Sequence, residues 1–204
     1  LAFAHRSATG HLRAVAMEGL EAGQASRLQY CVVHLGKRQA LHIVQIYGHA
    51  DGAFKADENE KLILAAMSWL RSLGDVPAVI VGDFNLVMHG CGVEPILAMS
   101  GWSDILAAAG PTCLPSNGPP SRVDYVLANR PAMAHVVAAG LRWDLGLATH
   151  AALEMELQVE ATECTWMRRP VATLIGPPCE AWAAARAEVT ERCVRIYGST
   201  LRTA

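Results

Sequence analysis

Apolar residues recur along the chain with two different periods, and the alternation between them predicts the order of elements. Residues 27–35 (Arg-Leu-Gln-Tyr-Cys-Val-Val-His-Leu) and 40–47 (Ala-Leu-His-Ile-Val-Gln-Ile-Tyr) are rich in β-forming side chains, with Gly36-Lys37-Arg38-Gln39 between them. This predicts two strands joined by a short turn. Gly48 to Ala56 reads as a loop. Asp57 then opens a helix, with Glu60 three residues on as a capping box requires. Leu62, Ala66, Trp69, Leu70 and Leu73 recur at helical spacing and predict one apolar face, and Gly74 is a natural C-terminal stop. Ala78-Val79-Ile80-Val81 is a short apolar strand with both faces expected to be buried. Residues 93–109 read as helical with a break near Gly101, and the proline-rich stretch from Gly110 to Ser121 reads as a loop. Val123 to Leu127 and Ala152 to Val159 complete the strands. Helices and strands thus interleave through residue 160, the mark of an α/β domain.

Beyond residue 160 the pattern changes. Residues 161–178 carry Arg168, Arg169, Pro170, Pro177 and Pro178 and read as a linker. Residues 179–196 place Trp182, Ala185, Val189, Cys193 and Ile196 on one helical stripe. The expected organisation is one domain over 1–160, then a linker and amphipathic helix over 161–204, where a following region would begin.

Composition narrows the class. Of 204 residues, 52% are hydrophobic and 18% charged, which excludes a disordered chain. No apolar run reaches the ~18 residues of a membrane-spanning helix. The first residues show no charged region followed by an apolar one, so no signal peptide is expected and an intracellular site is. The formal charge of −2 divides into −4 over residues 1–160, with 11 basic and 15 acidic side chains, and +2 over 161–204, with 6 and 4. That is no basic footprint of a dedicated duplex binder. The six cysteines have no C-x-x-C spacing and read as small buried hydrophobes in a reducing compartment.

Three segments carry candidate chemistry. Gly82-Asp83-Phe84-Asn85 follows the buried strand, at the carboxyl edge where α/β sheets hold ligands. In extended backbone, Asp83 and Asn85 would face one pocket and Phe84 the core. A carboxylate beside a carboxamide suits a hard cation, its water and a phosphate, and equally an Asx turn. Ser121-Arg122-Val123-Asp124-Tyr125 would set Val123, Tyr125 and Leu127 on one strand face and Arg122 with Asp124 on the other. Ala148-Thr149-His150-Ala151 precedes the last strand; His150 would donate to a phosphoryl oxygen, with Asp124 as the carboxylate that holds its ring.

In this order and context, the G-D-F-N, S-R-V-D-Y and T-H-A segments resemble the endonuclease/exonuclease/phosphatase superfamily, which includes DNase I-like nucleases, apurinic endonucleases and the endonucleases of non-LTR retrotransposons. Ile43-Val44-Gln45-Ile46-Tyr47-Gly48 and Gly101-Trp102-Ser103-Asp104 add to the resemblance, which covers roughly residues 27–160. It implies a four-layer α/β sandwich, two packed mixed sheets flanked by helices, with the site at one rim. It implies that Asp83 positions or deprotonates the attacking water, Asn85 orients water and phosphate, and His150 paired with Asp124 stabilises transition-state charge. Tyr47 would contact the phosphate or the leaving oxygen, and Mg²⁺ or Mn²⁺ held by Asp83 and Asn85 would polarise the phosphoryl group.

The chain departs from that pattern at two points. Thr149 stands where the family usually has Asp, and offers Mg²⁺ a poorer ligand. The family's Asn on its first strand and its metal-binding Glu have no match: Glu18 and Glu21 lie in an unlike context, so both would lie upstream of Leu1, as in an N-terminally truncated piece. The expected function is a Mg²⁺-dependent phosphodiesterase, an endonuclease on nucleic acid with DNA as partner, from a retroelement and nuclear in that case, with reduced activity. The alternatives are a degenerate remnant serving as a structural or binding domain, or an enzyme acting on a small phosphoester or lipid head group.

Overall fold

The computed structural model describes residues 11–13, 20, 22–34, 40–50 and 54–158. The linker and helix expected after residue 160, the turn at 36–39, and Glu18 and Glu21 lie outside the described residues. In chain order the elements are β1 (His11–Arg13), α1 (Ala22–Ala25), β2 (Leu28–His34), β3 (Ala40–Tyr47), α2 (Ala56–Ser72), β4 (Ala78–Asp83), α3 (Val93–Met99), β5 (Trp102–Asp104), β6 (Asp124–Asn129), α4 (Arg130–Met133), β7 (Val136–Arg142) and β8 (Ala152–Leu157).

Six strands form one mixed sheet in the order β1-β2-β3-β4-β6-β5, and β7 pairs with β8 in a second, antiparallel sheet. Only β3 and β4 run parallel, because helix α2 carries the chain back between them. One face of the large sheet packs on α2 and α3: Val44, Ile46, Ile80 and Leu127 meet Leu62, Ile63, Ala66, Met67, Leu70 and Leu97. The other face is covered on its inner strands by the second sheet, where Met155 and Leu157 pack against Leu41, Val79 and Ala128. The two-sheet α/β architecture expected from the sequence is therefore the one observed.

Local details differ from expectation for physical reasons. Lys55, not Asp57, is the N-cap of α2, and no side chain caps it. Glu60 instead accepts from the Gly92 N–H at 2.9 Å and ties α2 to the start of α3. Asp57 and Glu58 stand in the first helical turn, where they favour the helix dipole. Ile63 and Met67 join the buried face of α2, while Leu73 falls outside the helix and is exposed. Residues 102–104 are a strand paired with β6 rather than a continuing helix, because Gly101 at φ 73° turns the chain out of α3. Strand β6 starts at Asp124, so Val123 lies outside it, and both its faces are buried.

Candidate active site at the sheet rim

Strand register assembles the site. Tyr47 is paired with Asp83 across the parallel β3–β4 ladder, and Asp83 with Asp124 across β4–β6. The carboxyl ends of two strands and the start of a third thus meet at one rim. Two glycines allow the close approach. A Cβ at Gly82 (φ 136°) would lie 2.0 Å from the Ile46 carbonyl oxygen, and one at Gly48 would lie 2.2 Å from that of Phe84. The Gly48 N–H donates to the Asp83 carbonyl at 2.7 Å.

After Asp83 the chain leaves the sheet. Phe84 is fully buried, with its ring 5.4 Å from that of Tyr125. Asn85 adopts φ 46°, so Asp83 and Asn85 are not two positions of one extended strand, as the sequence suggested. The Asn85 N–H closes an Asx turn onto Asp83 Oδ1 at 3.0 Å, and its amide Nδ2 donates to the Gly48 carbonyl at 3.3 Å. The Asx turn that the sequence allowed is therefore formed, with Asp83 and Asn85 as its members. The left-handed residue is held from behind by Asn59, which is 1% exposed. Its Nδ2 donates to the carbonyls of Asn85 and His49, both at 3.2 Å, and its Oδ1 accepts from the His49 N–H at 2.7 Å.

Asp124 is held by a different device. Thr112, fully buried, uses its hydroxyl oxygen to accept from the N–H groups of Val123 (3.1 Å) and Asp124 (3.0 Å). The same loop clamps His150: Ala151 N–H donates to the Thr112 carbonyl and Leu114 N–H to the Thr149 carbonyl, both at 2.8 Å. His150 Nδ1 then meets Asp124 Oδ2 at 2.9 Å. On the other side of the ring, Nε2 lies 3.6 Å from Cys113 Sγ. Ligand atoms of Asp83, Asp124 and His150 all fall within 4.8 Å of one another.

Burial pushes the Asp83 carboxyl above the usual carboxylate range; the Asn85 N–H pulls it down and Asp124 pushes it further up. Burial, with the charges of Asp124 and Asp83, also raises the Cys113 thiol. The structure therefore brings Asp83, Asp124 and His150 together, with Asn85 folded against Asp83. Tyr47 is one strand over, 56% exposed, with the Arg27 guanidinium 5.8 Å from its ring centre. Thr149 is half-buried, and its hydroxyl has no partner among the described residues. Arg122, expected beside Asp124, is engaged instead with Asp104 at 2.5 Å and lies over the Tyr125 ring. His89, close to Cys91 in sequence, pairs with Glu94. Asn59, Thr112, Cys113 and Arg27 were not legible beforehand, since each acts across 20 or more residues or through a backbone contact.

No protein-family model and no curated protein matches the sequence. Solved structures do. The endonuclease domain of TRAS1, a telomere-specific non-LTR retrotransposon, superposes with a TM-score of 0.54 at 15% identity, over 66% of this chain and 65% of that one. The 3′ phosphatase NExo from Neisseria, solved with a product DNA hairpin, gives 0.51 at 17% identity over 65% of each chain. An AP endonuclease from Archaeoglobus fulgidus gives 0.51 at 15% identity over 69% and 68%. The match spans about 65% of the length of the first of these relatives. No helix among the described residues is long and apolar enough to cross a membrane. At such identities the likeness speaks for architecture alone: this chain has the fold of the DNase I-like endonuclease/exonuclease/phosphatase superfamily.

Proposed function

We propose that the chain is a divalent-metal-dependent phosphodiesterase that cleaves nucleic acid internally, with DNA as substrate. The observation that carries this reading is the cluster of Asp83, Asp124 and His150, with ligand atoms within 4.8 Å, at the rim of a sheet shared with nucleases. The structural neighbour solved with a product DNA hairpin supports DNA as the substrate class.

The donor set fits a hard cation. Asp83 and Asp124 face each other across a strand pair, and neither pairs with Lys or Arg among the described residues. Burial and its neighbour raise the Asp83 carboxyl, the mark of negative charge short of compensation. Asp83 and the amide oxygen of Asn85 would hold Mg²⁺ or Mn²⁺. When bound, the cation polarises the phosphoryl group and offsets its charge.

The chain's own residues do the rest. Asp83 Oδ2, the carboxylate oxygen not bonded to the Asn85 N–H, accepts a proton from the attacking water. Asn85 spends its amide nitrogen on Gly48, which leaves its oxygen to orient that water. The water oxygen bonds to phosphorus as the bond to the leaving oxygen breaks. Asp124 Oδ2 accepts from His150 Nδ1–H and fixes the ring, so Nε2 faces the phosphate and donates to a phosphoryl oxygen when the ring carries its second proton, in place of its weak contact with Cys113. Tyr47 offers a phenolic donor at the same rim, to the phosphate or the leaving oxygen. These roles rest on positioning and fixed dipoles more than on covalent chemistry.

Thr149 qualifies the rate. With Thr rather than Asp at position 149, metal binding is weaker and turnover slower than Asp would give. Cleavage of an end-labelled DNA duplex in Mg²⁺ tests the reading: Asp124→Asn should lower the rate about 10²-fold, and Thr149→Asp should raise it. Thr149 also favours a second reading, a remnant that keeps the sandwich without the chemistry. Absence of cleavage, together with no Mg²⁺-dependent rise in melting temperature, would select that reading.

A further inference from the structure

The loop before β6 and the segment before β8 meet at the rim in an antiparallel bridge that sets Cys113 directly opposite His150. Residues that face each other across such a bridge send their side chains to the same side of it. The backbone around the pair is fixed. Leu114 N–H donates to the Thr149 carbonyl and Ala151 N–H to the Thr112 carbonyl, while Cys113 and Ser121 exchange N–H to carbonyl bonds of 2.9 Å. Cys113 Sγ and His150 Nε2 consequently stand 3.6 Å apart, on two half-buried residues. The phosphodiester chemistry above uses Nε2 and leaves the thiol without a role.

That distance has a chemical meaning. Bonds of about 2.3 Å to sulfur and about 2.0 Å to nitrogen, at a tetrahedral angle on one Zn²⁺, set the two atoms about 3.5 Å apart. The histidine also has the partner that zinc-bound imidazoles have: its other nitrogen, Nδ1, meets a carboxylate, Asp124 Oδ2, at 2.9 Å. A third ligand is at hand. Asp83 has a ligand oxygen within 4.8 Å of His150, and its Oδ1 is held by the Asn85 N–H, which leaves Oδ2 for a metal. Sulfur, imidazole and one carboxylate form a set that selects Zn²⁺, whereas Mg²⁺ takes oxygen ligands and leaves sulfur alone.

We propose that Cys113 Sγ, His150 Nε2 and Asp83 Oδ2 form a zinc site, and that Zn²⁺ bound there shuts the catalytic rim. Cys113 binds as the thiolate, and its proton goes to solvent. Zn²⁺ then occupies the nitrogen that would donate to the phosphoryl oxygen and the carboxylate that would take the water's proton. The zinc site itself does not need the phosphodiesterase reading; the shut-off rests on it.

Co²⁺, which takes the same ligands and reports them by absorption, tests the site without turnover. One equivalent added to the reduced full chain should give a sulfur-to-cobalt charge-transfer band that Zn²⁺ abolishes. Cys113→Ser should lack the band, and Cys31→Ser/Cys91→Ser should keep it. No band in the wild type, or a band that survives in Cys113→Ser, would overturn the proposal. Competition with a chromophoric chelator should show Zn²⁺ bound about 10–100-fold more weakly by Asp124→Asn; equal affinity would overturn it as well. A further reading needs no variant: Zn²⁺ should protect Cys113 from alkylation by iodoacetamide, located by peptide mass spectrometry, and an unprotected Cys113 would count against the site. In plasmid nicking with Mg²⁺ in excess, Zn²⁺ should stop the wild type and spare Cys113→Ser; equal inhibition of both would remove the shut-off. A wild type that does not nick but gives the cobalt band and the protection would remove the phosphodiesterase reading and leave the zinc site standing.

Discussion

Replacing Asn59 by Ala tests the frame that holds Asn85 in its left-handed conformation. Asn59 is 1% exposed and makes three hydrogen bonds to backbone groups: from the His49 N–H, and to the carbonyls of His49 and Asn85. Truncation leaves all three groups without this partner. A buried unsatisfied group costs about 1–3 kcal/mol, and the His49 N–H, at 2.7 Å, is the most costly to orphan. The loss of this hydrogen-bonded frame should cost about 3 kcal/mol. With a urea slope of about 2 kcal/mol/M, the unfolding midpoint should fall by roughly 1.5 M. Urea titration followed by tryptophan fluorescence and by circular dichroism checks both the shift and the coincidence of the two transitions. A shift below about 0.3 M, with the slope unchanged, would refute the claim that Asn59 bears on the fold.

Three further outcomes follow from the same geometry. Burial first, and Asp124 with it, raise the Asp83 carboxyl in the folded chain above its ordinary value of 3.8. Its contribution to stability is therefore complete below that pH and is lost as pH rises through the raised folded value. In EDTA, Asp83→Asn should melt higher than the wild type at pH 7, with a gain that shrinks toward pH 3.5; a gain constant with pH would contradict this. Thr112→Val keeps the volume but removes the acceptor for two N–H groups, and should cost about 2 kcal/mol by urea titration and slow cleavage by loosening Asp124. Gly82→Ala sets a Cβ 2.0 Å from a carbonyl oxygen of β3 at φ 136°, and should lower the melting temperature by roughly 6–12 °C, for a cost of about 3 kcal/mol.

What the sequence revealed follows from how local each signal is. Strand β3 was legible to its last residue, because an apolar alternation ends at Gly48. Asp83, Asp124 and His150 were legible as a set only through the joint resemblance of their three segments to one superfamily; each segment by itself read equally well as a turn, a solvated carboxylate or a histidine with no role. Their convergence depends on register, which the sequence does not print. Strand β7 was missed: Val-Val-Ala-Ala-Gly-Leu-Arg is small, largely exposed and no better a strand than a loop by composition. Strand β5 was read as helix because three residues carry no period of their own. The capping box failed because its Glu60 has a tertiary partner, Gly92, 32 residues away.

The central claim is tested most directly by nicking of supercoiled plasmid DNA by the full chain in Mg²⁺, with EDTA and with His150→Ala beside the wild type. The account predicts conversion to open circles by the wild type, abolished by EDTA and reduced about 10²-fold or more in His150→Ala. Plasmid left supercoiled by a folded wild-type chain at saturating Mg²⁺, or nicking that persists unchanged in His150→Ala, would contradict it.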